Sequence, residues 1–236
     1  MPHYTYWSVF QFGLPLLLPS TYSATPSDIK ADNIMFSIAD DPVSATLKSG
    51  SFDPLAALPE EGTRWKIYVS LELRMPREWG APVLCDFGSA VSGGIDHSED
   101  IQPNIYRSPE VILEVPWTYS IDIWNIWDIF EGESLFTGHD PELQTYRSRA
   151  HLAEMISLLG HRPLSLLAQG KSSHKFFSVK GDFCAGIALQ ERIMLEERET
   201  TLEGFLRFMR KMLQWEPGKR SSAKELEEDE WIRKNT

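Results

Sequence analysis

Over the second half of the chain, apolar residues recur at helical spacing. Leu152, Met155, Ile156 and Leu159 repeat every three or four positions and stop at Gly160, a residue suited to the turn that ends a helix. Leu202, Phe205, Leu206, Met209, Met212 and Leu213 form a second stripe of the same period. From Ile121 to Glu131 the chain is apolar nearly all round, the pattern of a helix buried on every side, and Gly132 follows as its stop. Ser222 and Glu225 have the spacing of a capping box that opens a last helix.

The first half reads differently. Asn33–Phe36 predicts a short strand and Pro82–Cys85 a short buried one, and the alternation of Ile67, Val69 and Leu71 predicts a strand or hairpin arm. Residues 37–63 are polar and punctuated by Pro42, Gly50, Pro54 and Pro59, so they read as a long loop. Residues 1–27 hold no lasting period and carry Pro15, Pro19 and Pro26. Their apolar run, Phe10 to Leu18, has no Lys or Arg ahead of it, contains Gly13 and Pro15, and is too short to span a bilayer. The expectation is a mainly α domain with a few short strands near its front edge. Residues 1–27 are expected to stand apart as an unrelated or disordered tract.

Composition narrows the partners. A chain of 236 residues with 42% hydrophobic content, eight tryptophans and 12 phenylalanines can build a packed core. Its formal net charge of −11 argues against nucleic acid, whose phosphates need clustered Lys and Arg, and suits a basic peptide. No membrane partner is expected. Cys85 and Cys184 have no metal-ligand spacing and imply no disulfide framework, which fits a reducing compartment. The six histidines show no ligand spacing either.

The candidate chemistry sits on two short motifs. Moving a phosphoryl group onto a hydroxyl requires a carboxylate to take the proton, a cation to balance the phosphoryl, and oxygen ligands for Mg²⁺. Asp28-Ile29-Lys30-Ala31-Asp32-Asn33 offers all three within one tight loop. In Val83-Leu84-Cys85-Asp86-Phe87-Gly88 a buried strand delivers a carboxylate to a bend, with Gly88 expected to permit the turn. Tyr106-Arg107-Ser108-Pro109-Glu110, then Asp122-Ile123-Trp124-Asn125, then Arg220 after Trp215-Glu216-Pro217-Gly218-Lys219 follow in order. Gly181-Asp182-Phe183 repeats a fragment of the second motif inside a polar loop and is assigned no role.

In this order and spacing, the stretch from Asp28 to about Trp231 resembles the SR-protein kinase family of eukaryotic-type serine/threonine kinases. The resemblance implies the C-terminal lobe of a protein kinase over residues 28–236, with a catalytic loop at 28–33, an insert at 37–80 and an activation segment at 86–110. It implies that Asp28 is the catalytic base and that Lys30 assists it and contacts ATP. Asn33 and Asp86 would hold Mg²⁺ and the nucleotide. It further implies structural roles for Gly88, for Asp122 bracing the catalytic loop, and for Glu110 pairing with Arg220. The implied reaction is transfer of the ATP γ-phosphoryl to Ser or Thr in a basic, Arg/Ser-rich protein, in the cytoplasm or nucleus.

The chain also departs from the family. Nothing before Asp28 resembles an N-terminal lobe: no glycine-rich loop, no strand lysine and no helix carrying its Glu partner. The residues preceding Asp28 are Thr25-Pro26-Ser27, without the family's histidine. Asp122-Ile123-Trp124-Asn125 runs directly into Ile126-Trp127-Asp128, as though about four residues, ~6 Å of helix, were deleted from the buried helix. That deletion predicts repacking or local unravelling of the core. The rival reading is a catalytically inactive fragment that only binds partners or has no role.

Overall fold

The computed structural model describes residues 24–38, 79–93, 95–131, 134–189 and 203–235. The expected strand at Ile67–Leu71, the apolar run Phe10–Leu18 and the stop at Gly132 lie outside these residues. Among the described residues, no helix is long and apolar enough to cross a membrane.

Helix dominates, as the periodicity requires. The helices are α1 (Pro109–Leu113), α2 (Ser120–Glu131), α3 (Ser148–Leu159), α4 (Leu164–Gln169), α5 (Glu203–Met212), α6 (Ala223–Glu227) and α7 (Glu230–Asn235). The central pillar is α2. Every residue from Ile121 to Trp127 is buried, so this helix has no solvent face over those two turns. Its Ile123, Trp124, Ile126 and Trp127 join Leu152, Met155 and Ile156 of α3 and Phe205, Phe208, Met209 and Met212 of α5 in one core. Trp127 stacks on Phe205 with ring centroids 6.1 Å apart. The helix runs without a break for 12 residues. The shortening read from the sequence therefore does not unravel these turns.

Helix ends follow the chemistry of their residues. Gly160 ends α3 with φ +72°, open to glycine at little cost. Ser222 accepts from the Glu225 N–H and the Glu225 carboxylate accepts from the Ser222 N–H, the reciprocal cap that starts α6.

Three two-stranded ladders complete the described elements. β1 (Ala24–Thr25) pairs antiparallel with β4 (Val91–Ser92). β2 (Ile34–Ile38) pairs with β3 (Trp79–Leu84), with Ile34 opposite Leu84 and Met35 opposite Val83. β5 (His139–Asp140) pairs with β6 (Thr145–Tyr146). Two expected bounds shift. Asn33 belongs to a 3₁₀ turn, Ala31–Asn33, that delivers the chain into β2. Cys85 lies just past β3, though its N–H still reaches the Asn33 carbonyl at 2.8 Å. The boundary drawn after residue 27 also needs correction. Ala24 and Thr25 pair with β4, and Thr25, Pro26 and Ser27 are buried, so the packed unit includes them.

One ion pair ties α1 to the segment just ahead of α6. Arg220, after the last turn before α6, donates from both terminal nitrogens to the two carboxylate oxygens of Glu110 on α1, each at 2.6 Å. The same guanidinium reaches the Ser120 carbonyl at 2.8 Å and the Gln214 carbonyl at 3.1 Å, and lies 5.1 Å from the Trp124 ring centroid. Both side chains are essentially inaccessible to solvent. A fork matched to a carboxylate is the strong form of this interaction, and removing one partner strands the other charge in the core. Glu110→Ala should therefore cost about 3–5 kcal/mol of unfolding free energy, a large part of the typical ~5–15 kcal/mol for a domain. Urea unfolding of the two chains checks this, and an unchanged midpoint would contradict it.

Candidate active site

The loop from Ala24 to Asn33 is fixed at both ends before it presents any chemistry. At its start, β1 ties it to β4, which lies just beyond the Asp86 bend. At its end, β2 ties it to β3, which leads into that bend. The two motifs singled out in the sequence are thus neighbours by hydrogen-bonded register. Asn33 and Cys85 share a backbone bond, and Asp86 is the next residue.

Within the loop, polar atoms converge on Asp28. Lys30 Nζ lies 2.8 Å from Asp28 Oδ2. Asn33 Nδ2 donates to the same oxygen at 3.0 Å and to the Asp28 carbonyl at 2.8 Å. The D-x-K-x-x-N spacing produces this because the 3₁₀ turn 31–33 folds Asn33 back over Asp28. Ile29, between them, points the other way and is buried in the helical core. With the amide nitrogen of Asn33 committed to Asp28, its oxygen remains as a ligand atom. The Asp28 side chain is 16% exposed and that of Lys30 19%, so this cluster is partly open to a ligand.

Asp86 occupies the bend itself, and here one expectation is corrected. The left-handed residue is Asp86, with φ +59° and ψ +65°, while Gly88 has an ordinary negative φ. An Asp tolerates this conformation because its short side chain can bond locally. Asp86 Oδ1 accepts a long 3.4 Å bond from the Gly88 N–H. The Asp86 side chain is exposed.

Ser27 is the residue that sequence reasoning passed over. It is fully buried and left-handed, with φ +63°. Its N–H donates to Asp122 Oδ1 at 2.9 Å and its hydroxyl donates to the Ser89 carbonyl at 2.7 Å. Strain of this kind persists where the surroundings over-determine it. Ser27 thereby links the loop to the pillar α2 on one side and to the Asp86 bend on the other. The tripeptide before Asp28 carried the only signal, as a departure from the family pattern. The burial expected of Pro82–Cys85 is corrected at Val83, which pairs directly with Met35 across β2–β3; the two are 48% and 60% exposed, because this two-stranded ladder leaves one face uncovered. Together with Phe87, 53% exposed, they leave apolar surface beside the polar cluster.

Burial governs the remaining titratable groups. Asp122 is held inside the lobe and its carboxyl is pushed up to about 8, first by burial and then by the nearby Asp28 charge, against the Ser27 N–H. His151 is also fully buried, which pushes it down to about 3; its Nδ1 lies 3.0 Å from the Tyr146 hydroxyl. It is a core residue. Among the described residues, no group of three or more His, Cys, Asp or Glu side chains could hold a metal ion. Asn33 and Asp86 instead provide two oxygen donors. Such donors are of the kind a hard divalent cation takes.

The geometry gives one check. Asn33→Ala removes both bonds to Asp28 and should lower the unfolding free energy by about 1–3 kcal/mol. Urea unfolding measures it; an unmoved midpoint would mean that Asn33 does not hold the loop.

No family model matches the chain. A serine/threonine protein kinase of Aspergillus fumigatus is 43% identical over 179 residues, 70% of this chain and 44% of that protein. A serine/threonine-protein kinase SRPK of Physarum polycephalum is 30% identical over 156 residues, 60% of this chain and 36% of that protein. The chain thus spans less than half the length of these relatives. The crystal structure of a kinase domain superposes with a TM-score of 0.66, covering 98% of this chain and 66% of that one at 21% identity. By sequence the chain is a homologue of serine/threonine protein kinases, among them one named SRPK, and its fold is that of a kinase domain.

Proposed function

We propose that this chain carries the lower half of an ATP-dependent serine/threonine kinase site that acts on basic, Arg/Ser-rich proteins. The observation that carries the proposal is the convergence of Lys30 and Asn33 on Asp28 Oδ2, at 2.8 and 3.0 Å. Phosphoryl transfer relies on positioning and charge stabilisation more than on covalent help from the protein. Asp28 accepts the proton of the substrate hydroxyl. Lys30 stands beside it to balance the moving negative charge. Asn33 and Asp86 would hold Mg²⁺, which would neutralise charge on the phosphates. Exposed Met35 and Val83 offer apolar contact to the flat base of a nucleotide. The net charge of −11 favours a basic substrate.

Among the described residues there is no glycine-rich loop or strand lysine to clamp the phosphates from the opposite side. The carboxylates of Asp28 and Asp86 repel an unclamped nucleotide. This observation favours the second reading for the 236-residue chain by itself: an inactive unit that retains binding surfaces. A radiolabel transfer assay with an Arg/Ser-rich peptide separates the two. The chain alone should run at or near background. A fusion to the part of the Aspergillus relative that this chain does not match should transfer phosphate, and Asp28→Asn or Asp86→Asn in that fusion should abolish transfer. Undiminished transfer in either variant would overturn the residue roles. Clear transfer by the chain alone, lost in Asp86→Asn, would show that the opposite clamp is dispensable.

A further inference from the structure

The bond between Asp122 and the catalytic-type loop is incomplete. Asp122 sits in the first turn of α2 with no solvent exposure. A buried carboxylate is stable as an anion only when both oxygens find donors. Oδ1 has the Ser27 N–H at 2.9 Å. Oδ2 is buried and has no partner. The next backbone donor back along the loop would belong to residue 26, but that residue is proline and carries no N–H. Thr25 Oγ1 and Asp28 Oδ1, on the same loop, are also buried without partners. The contact between the loop and α2 therefore leaves Asp122 Oδ2 without a donor, and Asp28 adds negative charge beside it.

A proton on Asp122 answers both the unpaired oxygen and the neighbouring charge. It removes the buried anion and leaves one carboxyl oxygen to keep the Ser27 bond. We propose that Pro26 makes Asp122 a proton-dependent brace, which holds the loop bearing Asp28 when Asp122 is neutral and loosens it when Asp122 ionises. Pro26, two residues before Asp28, acts here by withholding a donor. Asp122 acts as a positioning residue through Ser27.

The charged surroundings leave Asp122 as the group that titrates this contact. Asp28 is the charge that faces it from the loop. From the bend, Ser27 meets only the neutral Ser89 carbonyl. Near the start of α2, the Arg220 guanidinium is closed on Glu110 and the Ser120 carbonyl. Burial raises the Asp122 carboxyl to about 8 in the folded chain, against ~3.9 in an unfolded one. The folded state then binds the extra proton between those values. Its contribution to stability is complete below ~3.9 and declines as pH rises toward 8, by up to about tenfold in the folded-to-unfolded ratio per pH unit.

The consequence for catalysis rests on the kinase reading, but the brace itself does not. The test is urea unfolding of the 236-residue chain from pH 5.5 to 9, compared with Asp122→Asn and Pro26→Ala. A second readout follows the Ser27 amide by NMR over the same range. Relative to Asp122→Asn, the unaltered chain should lose about a hundredfold in folded-to-unfolded ratio between pH 6 and 8. Its Ser27 amide should shift with a midpoint near 8. Pro26→Ala restores an N–H and should move that midpoint down by a pH unit or more. Equal pH slopes in the unaltered chain and Asp122→Asn would overturn the proposal. So would a Ser27 midpoint that Pro26→Ala leaves in place, and this arm decides the matter if Asp122→Asn fails to fold. No readout uses phosphoryl transfer, so failure here and failure of the kinase reading are told apart.

Discussion

The structure depends on a connection between a buried helix and a loop that has no regular structure of its own. Residues 26–30 lie outside any helix or strand, and backbone in that state is held only by what it bonds to. Here the holding group is the Asp122 carboxyl, anchored in a helix buried on all sides from Ile121 to Trp127. The bond passes to the Ser27 N–H, and Ser27 passes it on to the Asp86 bend through the Ser89 carbonyl. Arg220 fixes the base of the same helix by gripping the Ser120 carbonyl while it pairs with Glu110. The arrangement of Asp28, Lys30 and Asn33 is thus a surface consequence of helix packing underneath it.

The parts of this arrangement legible in the sequence are those with a repeat or a fixed spacing. The stripes at 152–159 and 202–213 mark helices because a core can be filled only at the helical period. The Ser222–Glu225 cap could be read because its two residues serve each other within one turn. The Asp28–Asn33 spacing was readable as chemistry, since the side chains that converge lie within six residues. Pairings between distant segments were readable only through resemblance. Nothing local to Glu110 announces Arg220, 110 residues away.

What escaped the sequence follows from backbone geometry. The left-handed turn beside Asp86 was expected of Gly88 because glycine adopts it most easily. The chain uses Asp86 instead, whose carboxylate bonds forward to the Gly88 N–H. Ser27 was unremarkable by type, and its weight comes from a strained φ fixed by two partners far along the chain. Residues 24–27 read as part of the irregular tract before them because Pro15, Pro19 and Pro26 break any period. A two-residue ladder leaves no period to read, yet it makes them part of the lobe.

Amide hydrogen exchange at Ser27 addresses the central claim most directly. If the loop is held on the helical core, the Ser27 N–H is released only when that core opens. Its protection at neutral pH should then approach that of the Ile123 and Ile126 amides in the buried helix. Exchange at the rate of an exposed loop amide, with those helix amides still protected, would show that the loop opens independently of the core and would contradict the account.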